Sequence, residues 1–450
     1  MNVLLINDSS SNPNWGDRAA ALALKRMIRE RGGTITAIIT EDELRESCFF
    51  RPCEEGREQQ ATGRSLQDWL RLLLPPVVFK LRDKFHYYTG TGRYARGTGG
   101  PIPLTVDTFE EQAEQFMQNR ADYGALHAAI AAADVLIIHG DGCMVGNGIL
   151  PRSELFLAYL ARMRFGKPVL LINHTADFSH PELDRMAALV YPQLDDVTYR
   201  DQISAELCRD RWAGRYAPDT AFLFEPAERA AWSALAQRPT YFDIWPDTAA
   251  FDPARPYICI GGTSGFSFDG QPTAIIDDVT ALVRHLQSSY PGQIVLTASD
   301  RIDEVIFRPV ARRLGLPLIG LTIPVQQAID IVGNAQAYVG GRWHVAIFAL
   351  RGGTPVIPLS SKTFKIQALM SMAGLQDTAI DAYDLSGASE RIGRELVRLI
   401  GQGDELRARL RAWARQQAEN CWDNLAYLDK LTATDGVQLA QDRRRSGVEG

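Results

Sequence analysis

Gly340-Gly341-Arg342-Trp343-His344 gathers anion-gripping and proton-moving groups into one short stretch. An apolar-leaning run, Ala337–Val339, leads into the two glycines, and a second apolar run, Val345–Leu350, follows them. That is the pattern of a strand turning into a helix. Glycines let backbone come close to a ligand. A helix start offers free N–H groups and the positive end of its dipole, which suits an anion. The Arg342 fork matches a carboxylate or phosphate, and the His344 imidazole can give or take a proton. The chemistry this suggests is binding of an anionic substrate with a proton to be moved. A plain helix cap beside a surface histidine would look the same in sequence.

Other polar groups fall at comparable places. Asn14-Trp15-Gly16-Asp17 occupies the first strand-to-helix loop, where Asn14 and Asp17 either cap the helix or line a site. His139-Gly140-Asp141-Gly142 directly follows the apolar run DVLII, without the full glycine pattern of a dinucleotide fingerprint. Gly261-Gly262-Thr263-Ser264-Gly265 follows YICI and can cradle a phosphate through backbone N–H groups. It lacks the lysine of a nucleotide-hydrolysing loop. Arg200, in Tyr199-Arg200-Asp201-Gln202, reads either as a site cation or as a surface charge beside a helix cap. Lys362 and Lys365 follow another short strand, and either can point toward the Arg342/His344 loop.

The elements that would position these groups alternate. Val3–Ile6, Thr34–Ile39, Asp134–Ile138, Pro168–Ile172 and Val197–Tyr199 read as buried strands, separated by helical patterns such as Arg18–Arg31. After Pro226 a second series begins. Tyr257–Ile260, Gln293–Thr297, Ala337–Val339 and Val356–Leu359 read as strands, with helices over Asp277–Ser289 and Val325–Gly333. This spacing predicts an α/β protein of two Rossmann-like domains facing a cleft, each a parallel sheet covered by helices. In such sheets ligands lie beyond the carboxyl ends of the strands, where the polar groups above fall. We expect an N-terminal domain over 1–230 with an insertion at about 41–115, and a second domain over 231–400. A closing helix over 401–433, read from Asp404–Leu431, and a disordered tail over 434–450 complete the expectation.

Composition narrows the function. The 450 residues suffice for about two or three domains. A net charge of −6, from 54 acidic and 48 basic residues, argues against nucleic acid as partner. Six cysteines form no C-x-x-C pair and no zinc spacing, so we expect reduced thiols, a cytoplasmic protein and no metal. The N-terminal MNVLLINDSS has no basic leader and reads as a first strand. Within the insertion, Trp69 to Arg96 joins apolar, aromatic and basic residues, with Lys80, Arg82, Lys84, Arg93 and Arg96 against Asp83 alone. That segment is either a helical hairpin packed on its own domain or a peripheral contact with anionic lipid at the inner membrane face.

Taken in order, these segments resemble the polysaccharide pyruvyl transferase family. The resemblance rests on N-W-G-D, D-V-L-I-I-H-G-D-G, R-D-Q-I-S, A-P-D-T-A-F, G-G-R-W-H and G-G-T-P-V-I-P with the lysines behind it, over residues 1–370. Arg18 stands where members commonly carry an acid. His139 and Asp141 stand where they commonly carry glycines. The resemblance implies a GT-B-like fold. It implies transfer of a pyruvyl group from phosphoenolpyruvate to two hydroxyls of a sugar, making a cyclic ketal and releasing phosphate, with no cofactor. His344 and Arg342 would be catalytic. Arg200, Gly341, Trp343, Lys365, Lys362, Gly262, Thr263 and Ser264 would hold the donor, and Asn14, Asp17, His139 and Asp141 would face the acceptor. The acceptor would be a sugar of a polysaccharide or a lipid-linked oligosaccharide. Two other readings stay open: a nucleotide-sugar glycosyltransferase of the same architecture, and a non-catalytic binding protein.

Overall fold

Short apolar runs that end in polar loops become parallel strands here, because helices cover both faces of each sheet. The computed structural model describes residues 1–47, 49–50, 102–238, 251–266, 272–375 and 378–431. The basic segment Lys80–Arg96 and the tail over 434–450 lie outside the described residues.

The first sheet holds β1 (Asn2–Asp8), β2 (Thr34–Thr40), β3 (Val135–Asp141), β4 (Val169–His174), β5 (Asp196–Tyr199) and β6 (Arg215–Tyr216). Its order is β2-β1-β3-β4-β5-β6. The second holds β7 (Tyr257–Thr263), β8 (Gln293–Thr297), β9 (Leu318–Ile319), β10 (Tyr338–Gly341) and β11 (Val356–Pro358), in the order β11-β10-β7-β8-β9. Every pairing between these strands is parallel. β3, β4 and β7 are buried along their whole length, as parallel strands covered on both faces must be. Both sheets point their carboxyl ends at one shared cleft.

Several elements depart from expectation. β6 and β9 are two-residue edge strands, too short for a pattern to show. The helices Arg301–Leu314 and Ser389–Gly401 were not anticipated; the first carries Pro309 inside an arginine-rich stretch. The long closing helix ends at Asn420 and tightens into a 3-10 turn over Cys421–Leu425. That turn is held by Asn424, whose Nδ2 donates to Pro218 O at 2.8 Å and Cys421 O at 2.9 Å. Phe222 meets Trp413 edge-on at 5.7 Å, and Cys421, Leu425 and Leu428 pack beneath β1 and β4. The C-terminal helix thus returns from the second half to the first.

The halves are joined most closely by the first helix, Trp15–Glu30. Its Trp15, Ala19 and Ala20 belong to the core of the second half. Trp15 is fully buried, and its indole N–H donates to Gly320 O at 3.2 Å. Arg18 donates to Leu321 O and Ile323 O. That bonding uses the cation that stands where the resemblance leads one to expect an acid. Replacing Trp15 by alanine should destabilise the protein by about 3–5 kcal/mol, the cost of emptying a buried indole site. Urea denaturation measures it, and a loss below about 1 kcal/mol would show that Trp15 is not the joint between the halves.

Candidate active site

Three neighbouring strands of the first sheet leave it through left-handed backbone at non-glycine residues: Asn7 (φ 66°), Asp141 (φ 42°) and Asn173 (φ 56°). Asn and Asp tolerate this region best, yet each still carries strain of about 1–3 kcal/mol. The surroundings hold them there. Asn7 Nδ2 donates to His139 O at 2.7 Å and Glu154 Oε1 at 2.8 Å, while Asn173 Oδ1 accepts from Thr220 N at 2.9 Å. The kinks turn Asn7 and Asp141 toward the cleft, a space of about 370 Å³ lined by both halves.

Arg200, from the loop after β5, is the central cation. It is only 1% exposed. Its Nε donates to Thr175 Oγ1 at 3.0 Å; Nη1 donates to Asp141 and, at 3.1 Å, to Asp219. The guanidinium lies 5.2 Å from the Trp343 ring centroid. Burial works to raise the Asp141 pKa, but Arg200, His344 and His139 together hold it at about 2. Burial acts the same way on Asp219, and His344 and Arg200 overcome it to hold that carboxyl far below its ordinary range. Nη2 of Arg200 keeps no hydrogen-bond partner among the described residues. It lies where a Cβ on Gly142 would be 3.2 Å away, with Lys365 Nζ at 3.1 Å from the same point. A side chain at 142 would therefore crowd both cations.

Lys365 begins the helix Lys365–Met372 and lines the cleft. It has no ion-pair or hydrogen-bond partner among the described residues. Burial and Arg200 lower its pKa. An unbonded Arg200 Nη2 and an unpaired Lys365 ammonium thus turn their donors toward one space, an arrangement suited to an anion.

His344 enters from the second half, in the first turn of the helix Trp343–Arg351. Its Nε2 stands 3.3 Å from Asp219 Oδ2, 3.3 Å from Arg200 Nη1 and 3.7 Å from Asp141 Oδ1. Its Nδ1 stands 3.9 Å from Asp17 Oδ1. Gly16 is packed so tightly on the imidazole that any Cβ would overlap it. Trp343 lines the cleft, but its indole N–H donates to Asp219 Oδ2 at 2.8 Å, across the two halves. Asp219 is thus shared by Arg200, Trp343 and His344.

Several expected site residues sit elsewhere or are otherwise engaged. Arg342 lines the cleft, but its fork is closed on Asp303 at 2.7 and 3.1 Å, with Asp300 at 3.2 Å. Gly262 is the last-but-one residue of β7 and makes room for the Asp303 carboxylate. Thr263 is buried and donates to Ser360 O at 2.5 Å, so of this glycine-rich segment Ser264 reaches the cleft. Lys362 is exposed outside the lining, its backbone N–H donating to Ser264 Oγ. His139 lies inside the first half, bonded through Nε2 to Asn173 at 2.9 Å, because β3 continues past it to Asp141. Asn14 lines the cleft, caps the first helix with Oδ1, and donates from Nδ2 to Asp300 at 3.1 Å. Asp17, Asp141, Arg200, Gly341, Trp343, His344 and Lys365 all reach the cleft.

Asp219, Asp303 and Glu154 escaped the sequence reading. Asp219 was visible only as a letter in A-P-D-T-A-F. Asp303 sits in the first turn of the helix Arg301–Leu314 and had no signal. Glu154 is fully buried beneath Asn7, and burial raises its pKa well above the ordinary range. Asp17, Asp141 and His344 bring one ligand atom each within 4.8 Å of one another, the spacing of a metal site. Arg200 already occupies Asp141, and Lys365 faces the same space, so a cation there would meet two positive charges.

A model of the polysaccharide pyruvyl transferase family matches residues 14–363. Comparison with curated proteins finds no match. Among solved structures, one from E. coli, described as trehalose-6-phosphate bound with UDP-2-fluoro glucose, aligns with a TM-score of 0.51 at 11% identity. The alignment covers 96% of this chain and 99% of that one. UDP-GlcNAc 2-epimerase from Neisseria meningitidis, bound to UDP-GlcNAc, aligns at a TM-score of 0.49 and 12% identity, over 93% of this chain and 99% of that one. At such identities the likeness is one of fold, a GT-B-like pair of helix-covered parallel sheets.

The Arg342–Asp303 pair makes a prediction with a definite pH sign. Burial raises Asp303 to about 6 against the lowering effect of Arg342. Because this folded pKa lies above the ordinary value of 3.8, stability tied to protonated Asp303 is lost as pH rises through about 6. Arg342→Ala should therefore cost about 3–5 kcal/mol at alkaline pH, where it strands a buried carboxylate, and clearly less below the Asp303 pKa. Urea midpoints at pH 8 and pH 5.5 check this, and a cost independent of pH would contradict it.

Proposed function

Because the chain belongs to the polysaccharide pyruvyl transferase family, we propose that it moves the pyruvyl group of phosphoenolpyruvate onto two hydroxyls of a sugar. The product is a cyclic ketal, and phosphate leaves. The observation that carries this reading is the meeting of Arg200 Nη2 and Lys365 Nζ over Gly142, beside His344. Phosphoenolpyruvate presents a carboxylate and a phosphate close together, so it needs more than one cation at short range. The start of the Trp343–Arg351 helix, which has no side-chain cap, adds N–H groups for the departing phosphate.

His344 supplies a proton to the methylene carbon of the donor, which makes the neighbouring carbon electrophilic toward a hydroxyl. Asp219 holds the imidazole from behind, and Gly16 fixes it from the opposite half. Arg342 acts by holding the loop through Asp303, and Trp343 by supporting Arg200 and Asp219. The acceptor enters against Asp17, Val145 and the start of the Ile149–Met163 helix, which line the cleft from the first half. We take it to be a sugar of a polysaccharide or of its lipid-linked precursor, modified at the cytoplasmic side. No helix among the described residues is long and apolar enough to cross a membrane. The reaction proposed here draws on no metal and no cofactor.

The second reading, transfer from a nucleotide sugar, is favoured by the fold likeness to a structure bound with UDP-2-fluoro glucose. Thermal shift separates the two. Phosphoenolpyruvate at about 100 times its Kd should stabilise the native chain by about 2.7 kcal/mol, with EDTA making no difference. Lys365→Ala should weaken its binding about 10- to 100-fold, the loss of a charged hydrogen bond. A shift with UDP-glucose and none with phosphoenolpyruvate would transfer the assignment to the glycosyltransferase reading.

A further inference from the structure

The acids that border this cleft are nearly all engaged. Asp141 and Asp219 hold Arg200, Asp303 and Asp300 hold Arg342, and Glu41 accepts from Asn12 and Arg45. Asp17 is the exception. It stands in the first turn of the Trp15–Glu30 helix, lines the cleft, and its carboxylate has no hydrogen bond among the described residues. His344 Nδ1 stands 3.9 Å from it. Resting on the phosphoenolpyruvate reading, we infer that Asp17 is the second proton carrier of the site, taking a proton from the attacking sugar hydroxyl while His344 gives one to the donor.

The proton balance has a place for such a group. In the first addition, His344 protonates the donor methylene, a hydroxyl oxygen bonds to the adjacent carbon, and that hydroxyl's proton passes to Asp17. In the second, another hydroxyl oxygen bonds to the same carbon and the carbon–oxygen bond to phosphate breaks, the electron pair leaving with phosphate. The second hydroxyl's proton restores His344, and the proton on Asp17 leaves with phosphate. One group alone would have to give and collect twice in turn, at the donor carbon, at both hydroxyls and at the leaving phosphate. The surroundings suit the role. Burial raises the Asp17 pKa well above its ordinary value, as do Asp141, Glu41 and Asp300, while Arg200 opposes them. Lys365 and His344 complete the charges that face it.

Asp17 has to be ionised in the donor complex, since a carboxyl already protonated could take no proton from the hydroxyl. Isothermal titration of the full chain with phosphoenolpyruvate near pH 7.5, in PIPES and in Tris, reads proton uptake on binding from the difference in heat. We expect the native chain and Asp17→Asn to show the same uptake, and Asp17→Asn to bind the donor more tightly and melt at or above the native temperature, since it removes a like charge. Should that variant fold poorly, Asp17→Ser repeats the measurement. Uptake by the native chain that Asp17→Asn loses, an unchanged affinity in Asp17→Asn, or loss of donor binding in folded Asp17 variants would each overturn the inference. Native protein that binds no phosphoenolpyruvate would overturn the donor reading itself, and this inference with it.

Discussion

A guanidinium that is only 1% exposed has to be answered by charge, because removing an ion from water costs several kcal/mol. Arg200 is answered from three directions: Asp141 at the end of β3, Asp219 after β6, and the face of Trp343 from the opposite half. Asp219 also takes the Trp343 indole N–H. Neutralising the buried arginine and docking the halves are therefore one event. The left-handed backbone at Asp141 fits the same account, since it brings the carboxylate to Arg200 and the strain is offset by the ion pair.

Arg200 and Arg342, both at the cleft, differ in what remains after pairing. Arg342 meets two carboxylates of its own half, and its Nε, Nη1 and Nη2 each have a partner. Arg200 keeps Nη2 unbonded, next to Lys365. In the proposed reaction the donor anion meets that remainder. It is why Arg342, the more conspicuous residue in the sequence, becomes the support, and Arg200 the group that faces the space.

Much of the scaffold was legible because parallel strands buried on both faces read as plain apolar runs. Gln293–Thr297 and Val325–Gly333 form with the expected bounds, and the two-sheet α/β class follows from the alternation. Edge strands of two residues and a helix containing Pro309 carry too little pattern to read. Around the cleft, sequence could point to polar groups that follow strands, and Asp17, Asp141, Arg200, His344 and Lys365 do surround it. It could not tell which partners they meet. Asp303 lies 39 positions before Arg342, and Asp219 lies 19 after Arg200, distances that only the tertiary fold closes. His139 shows the same limit, because nothing local marks where β3 stops.

The chain passes between its halves at two places. It leaves the first near Phe222–Ala227, where Ala227 N–H already reaches Asp330, and returns through the helix Gly403–Asn420 to Asn424. The Phe222–Trp413 contact brings these crossings side by side. Two adjacent tethers and the fully buried Trp15 therefore hold the halves at three places, and parting them at the cleft means drawing an indole out of the second half's core.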